Sequence, residues 1–145
     1  MKRTATVSDR VSFPVTVRSE FEGLLKSFVD LPTVSADPLH HKDIRRCAEL
    51  AIETIRSSGG DAELIETKGN PIVHGVFNAG KNLPCVTLYN HLDVQPASQK
   101  TEPWTHDPFV MQIDGDQYLG RGTTDDKGPA ISALFGIRAV READI

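Results

Sequence analysis

Two short stretches of the chain combine residue types that do chemistry. The first is Asn90-His91-Leu92-Asp93-Val94-Gln95-Pro96, which comes directly after an apolar run. In extended backbone, side chains two positions apart point to the same side, so His91 and Asp93 share a face. A histidine that ligates a metal through one ring nitrogen needs the other nitrogen held by an acceptor. That contact fixes the tautomer and raises the ligand's basicity, and a neighbouring carboxylate serves well. Asp93 is the candidate for the role. The plainer alternative is a strand-end histidine with a turn aspartate before Pro96. Taken alone, the His-x-Asp pattern favours that alternative, because it is common by chance.

The second stretch is Gly120-Arg121-Gly122-Thr123-Thr124-Asp125-Asp126-Lys127-Gly128-Pro129. Its glycines permit positive φ and close backbone approach. A phosphate-binding loop needs glycine directly before the lysine, where this chain has Asp126, and two carboxylates would repel phosphate. A purely structural reading also exists: Thr124, Asp125 or Asp126 caps a helix that has Pro129 in its first turn. Capping leaves unexplained why two adjacent acids stand where a strand ends, near the expected position of His91.

The elements that must position these stretches can be read from periodicity. Residues 1–18 read as an irregular N-terminus. Phe21, Leu24, Leu25 and Phe28 recur at helical spacing behind Ser19 as cap, with Pro32 past the end. Ile44, Cys47, Ala48, Ala51, Ile52 and Ile55 form one stripe of a second helix over 41–58, stopped by Gly59 and Gly60. Three strands are expected at 62–67, 72–78 and 84–90, the third central and buried. Residues 109–113 and 117–119 flank Asp114-Gly115 as a hairpin, and a last helix starts near Lys127. Such an order suggests a layered α/β domain with ligand sites at the carboxyl ends of strands, just after Tyr89 and Leu119.

Composition narrows the class further. The 145 residues are 39% apolar and 25% charged, enough for a folded core. A net charge of −4 with scattered basic residues gives no footprint for nucleic acid, and no stretch has the apolar length to cross a bilayer. The start lacks the apolar core of a secretory signal. Cys47 and Cys85, without C-x-x-C spacing, are expected to be buried, reduced thiols of a soluble cytoplasmic protein. Trp104 and Phe109 are expected to anchor the long loop, and His40, His41, His74 and His106 to be ordinary histidines.

The segments 88–96, 102–109 (Glu-Pro-Trp-Thr-His-Asp-Pro-Phe) and 114–129 together resemble a zinc peptidase family. It comprises aminoacylases, acetylornithine deacetylases, succinyl-diaminopimelate desuccinylases, carboxypeptidases and carnosinase-like dipeptidases. The Asp-Val-Gln-Pro and Thr-Asp-Asp-Lys-Gly-Pro versions look most like the dipeptidase branch. The resemblance implies a three-layer α/β/α catalytic domain, of which 19–145 is the N-terminal portion without the inserted lid or dimerisation domain. It implies a dinuclear zinc site, with cobalt or manganese as alternatives, in which His91 ligates one ion, Asp125 bridges both and Asp93 orients His91. Asp126 is then a neighbour and the fallback ligand, and the 125–126 peptide is expected to be cis. The implied substrate is a small peptide or N-acylated amino acid, and the full-length form a homodimer. The glutamate pair and the later ligands of the family are missing, so the chain is expected to be an inactive fragment. The competing reading is a non-catalytic binding module on a peptidase-derived scaffold.

Overall fold

The computed structural model describes residues 15–80 and 83–143. Helix α1 spans Val15–Val29. It starts before Ser19, which lies inside the helix and is not its cap. The reason is that Val17 continues the Phe21, Leu24, Leu25, Phe28 stripe one turn upstream and packs against the same core. Of the segment expected to be irregular, 15–18 are therefore helical, and 1–14 lie outside the described residues.

A short 3-10 turn, Pro38–His40, is capped by Asp37, whose side chain accepts from Leu39 N, and leads into α2, His41–Ser57. The buried face of α2 is Ile44, Cys47, Ala48 and Ala51, whose small alanines allow close packing. Gly59, at φ 82°, and Gly60 end the helix, and a Cβ at Gly60 would come within 2.8 Å of Phe77. Strands β1, Asp61–Ile65, and β2, Ile72–Val76, pair antiparallel from Asp61↔Val76 to Ile65↔Ile72 and pack on α2. Each overlaps the segment expected for it, β1 starting one residue earlier.

The third expected strand is absent. Residues 83–90 join no ladder, and Val86 and Tyr89 are 79% and 85% exposed. A run of strand-forming residues becomes a buried strand only when neighbours pair with both edges and cover both faces. Among the described residues, nothing does so. Cys85 is accordingly exposed, contrary to expectation, while Cys47 is buried, and both are free thiols.

Strands β3, Gln112–Asp114, and β4, Gln117–Leu119, form the expected hairpin, with Gly115 at φ 60° in its two-residue loop. Helix α3, Lys127–Glu142, packs across α1. The core joins Leu25, Phe28 and Val29 of α1 to Ile131 and Phe135 of α3, with Leu31, Cys47, Ala51 and Met111 completing it. Phe21 meets Phe135 edge-on at 5.4 Å. The result is a mixed α/β arrangement in which the loop before α3 lies over the segment that carries His91.

Candidate metal centre

His91 stands where the unpaired segment 83–90 ends, and the α1–α2 loop holds residues 92–94 in place. Val94 N donates to Thr33 O at 3.0 Å, and Thr33 Oγ1 donates to Leu92 O. Val34 and Val94 form a single parallel bridge, and Thr33 is fully buried. Facing this segment, residues 120–126 curl into α3. Gly122 adopts φ 98°, Arg121 N donates to Pro108 O at 2.7 Å, and Lys127 N donates to Gly122 O at 3.1 Å. The Asp125–Asp126 peptide is cis, as the family resemblance implied.

These two pieces bring His91 and Asp125 together. His91 Nε2 lies 3.0 Å from Asp125 Oδ1. Its other ring nitrogen, Nδ1, lies 3.1 Å from the carbonyl oxygen of Asp93 and 3.3 Å from that residue's Oδ1. Asp93 thus faces the imidazole, as expected, but its backbone carbonyl makes the closer contact. The Asp93 carboxylate is shared: its Oδ2 accepts from Ser35 Oγ. The fallback acid, Asp126, takes up the His91 backbone N–H, at 3.1 Å from Oδ2, and the Asn90 side chain, at 2.9 Å.

Electrostatics track the geometry. Partial burial, the largest single influence, pulls the His91 pKa down. The Asp93 carbonyl and the Asp125 carboxylate together outweigh it and leave the value raised. Asp125 has its side chain 85% exposed, so one carboxylate oxygen faces the imidazole while the group stays open to solvent. Behind the loop, Lys127 is wholly buried and donates from Nζ to Phe28 O at 2.9 Å and Leu31 O at 2.7 Å, closing the C-terminal turn of α1. Burial lowers its pKa to about 8, against the opposing pull of Cys47, Asp93 and Asp30.

Beside Asp125, an open cleft of about 300 Å³ runs along residues 118–125 to Trp104. Trp104 Nε1 donates to Glu102 Oε2 at 2.7 Å and lies under the Arg121 guanidinium at 5.4 Å, so it anchors the loop as expected. His40 and His74 pair with Asp43 and Glu63 on the surface, away from this site.

The His91–Asp125 pair fits a zinc ion by donor type, while its spacing in the metal-free chain is that of a hydrogen bond. An imidazole nitrogen and a carboxylate oxygen bound at zinc's usual distances in tetrahedral geometry stand roughly 3.4 Å apart. The observed separation of 3.0 Å is a few tenths shorter. Among the described residues, no group of three or more His, Cys, Asp or Glu gathers to hold a metal. Sequence reasoning passed over Thr33, Ser35, Asn90 and Lys127. They are ordinary residues of loops and a helix end, and only their partners, up to 99 positions away, give them a part here.

Known proteins resemble this chain in sequence and in fold. Residues 87–145 match the family described as Peptidase family M20/M25/M40. The Cys-Gly metallodipeptidase dug1 of Schizosaccharomyces pombe is 32% identical over 139 residues, covering 88% of this chain and 29% of that protein. The Beta-Ala-His dipeptidase of Rattus norvegicus is 30% identical over 138 residues, with 86% of this chain and 28% of that protein covered. The crystal structure of human carnosine dipeptidase 1 superposes with a TM-score of 0.80 at 25% identity, over 89% of this chain and 30% of that one. The chain therefore spans less than a third of the length of these relatives.

Proposed function

Since the chain belongs to peptidase family M20/M25/M40, we propose that it carries part of the dinuclear zinc site of a hydrolase acting on peptide or N-acyl amide bonds. In this reading His91 is a ligand to one ion and Asp125 is shared between two. The observation that carries it is the 3.0 Å approach of His91 Nε2 to Asp125 Oδ1, two groups 34 positions apart. The relatives named as dipeptidases favour a dipeptide-sized substrate.

The chain's own residues prepare the donors. The Asp93 carbonyl can only accept, so Nδ1 carries a proton towards it, and Nε2, which shares a proton with Asp125 Oδ1 in the metal-free chain, would release that proton to bind a metal. The Asp125 side chain is open to solvent, so its carboxylate would be accessible to the ions it is proposed to hold. When bound, zinc supplies Lewis acidity for a water nucleophile and for the scissile carbonyl. Two protein ligands leave such an ion under-coordinated. The chain by itself is therefore proposed to bind zinc weakly and to hydrolyse no dipeptide.

Zinc titration of the purified chain, monitored through the His91 ring signals in NMR and, for variants lacking that ring, through backbone amides of 120–126, tests this. The reading expects weak, saturable binding that disappears in both His91→Ala and Asp125→Ala. Binding that survives both substitutions would remove the proposed site, and zinc-dependent hydrolysis of Cys-Gly or β-Ala-His by the chain alone would overturn the expected inactivity.

A further inference from the structure

Asp126 occupies the N-cap position of α3, where an aspartate ordinarily turns its carboxylate onto the helix's own first N–H groups. Here it makes no such cap bond. Its Oδ2 instead accepts from the backbone N–H of His91 at 3.1 Å and from Asn90 Nδ2 at 2.9 Å. Helix stabilisation is forgone for two contacts 35 and 36 positions away in sequence.

Those contacts fall where the neighbouring structure needs them. Downstream of His91, Thr33 holds both Leu92 and Val94. Upstream, residues 83–90 have no ladder partner among the described residues, so no described strand fixes the approach to His91. A hydrogen bond to a charged carboxylate is about twice as strong as one between neutral groups. The Asp125-Asp126 dipeptide thus grips a single residue twice, Asp125 at the imidazole and Asp126 at the main chain.

We propose that Asp126 is a positioning residue for His91: its carboxylate fixes the His91 backbone so that Nε2 faces Asp125, and it binds no metal itself. The proposal rests on the reading of His91 and Asp125 as metal-holding residues, but its first test needs no metal.

That test is amide hydrogen exchange of the metal-free, isotope-labelled chain, with zinc titration as the second readout. In Asp126→Ala, exchange at the His91 amide should rise roughly tenfold or more, while amides inside α1 and α2 keep their rates. Zinc affinity should fall about tenfold to a hundredfold, the usual effect of removing a group that supports a ligand. Asp126→Asn keeps an acceptor oxygen and should restore most of both. If Asp126→Ala does not fold, Asp126→Ser takes its place: serine can cap α3 but is too short to reach Asn90, and the same losses are expected.

Unchanged His91 exchange and zinc affinity in the Ala or Ser variant would overturn the proposal. So would an Asp126→Asn variant that keeps the amide protected yet loses zinc as completely as Asp126→Ala, since Asp126 would then be a ligand. If the wild-type chain shows the exchange pattern but takes up no zinc at His91, the positioning role stands and the metal reading fails.

Discussion

At the scale of single residues, His91 and Lys127 tie the site to pH in different ways. The raised pKa of His91 means that the folded, metal-free chain holds its proton more tightly than the unfolded chain does. The stability this contributes is fully present below the ordinary histidine value of about 6.5 and is lost as pH rises through the raised folded value. His91→Ala should flatten that part of the stability–pH curve in urea unfolding. Zinc competes with the same proton, so uptake should weaken as pH falls through that range.

Lys127 has the opposite sign. Its folded value is about 8 against an ordinary 10.5, so between those values the unfolded state binds more protons and stability rises with pH. Cys47, pushed up by burial from 9.0 to about 11, opposes this above pH 9.0 because its folded form keeps the proton. Wild-type stability should therefore climb from about pH 8 to about pH 9 and flatten beyond. Lys127→Met should abolish the climb in pH-dependent urea unfolding, because the group that takes up the proton is gone. Cys47→Ala should extend it.

At the scale of elements, the loop before α3 is held by close approaches that only glycine permits. A Cβ on Gly128 would lie 2.0 Å from the carbonyl oxygen of Thr123, a backbone atom with no rotamer to escape into. Gly128→Ala should destabilise the chain by about 3 kcal/mol and open the 120–126 loop, moving Asp125 from His91. Thermal melts would show the first effect, and loss of zinc-induced shifts at the His91 ring the second. Gly136, on the same helix, has nothing within 4 Å of the corresponding position. Gly136→Ala should leave the site unchanged and raise stability by up to about 1 kcal/mol, the usual helix-interior gain over glycine.

At the scale of the whole molecule, the unpaired segment 83–90 gathers exposed apolar side chains. Leu83, Val86, Leu88 and Tyr89 are each more than half exposed, in a run with strand-forming composition and no ladder partner among the described residues. Such an edge templates association. The chain should self-associate with rising concentration in size-exclusion chromatography, and Val86→Lys should suppress this without lowering the melting temperature. An unchanged elution profile would mean the segment is not the contact.

The sequence by itself determined whatever depends on local spacing. The 3.6-residue period located α1, α2 and α3, Asp114-Gly115 located the hairpin, and the family resemblance carried by the motifs singled out His91 and Asp125. Tertiary structure decided everything that depends on what lies opposite. The apolar run at 84–90 reads identically whether or not neighbouring strands cover it, so the exposure of Cys85 was not legible. Asp126 reads as a cap until Asn90 and His91 arrive beside it. Asp93 was expected to act through its carboxylate, and only the fold revealed the nearer carbonyl. The physical reason is the same throughout: backbone preference is a property of neighbours in the chain, whereas burial and hydrogen-bond partnership are properties of neighbours in space.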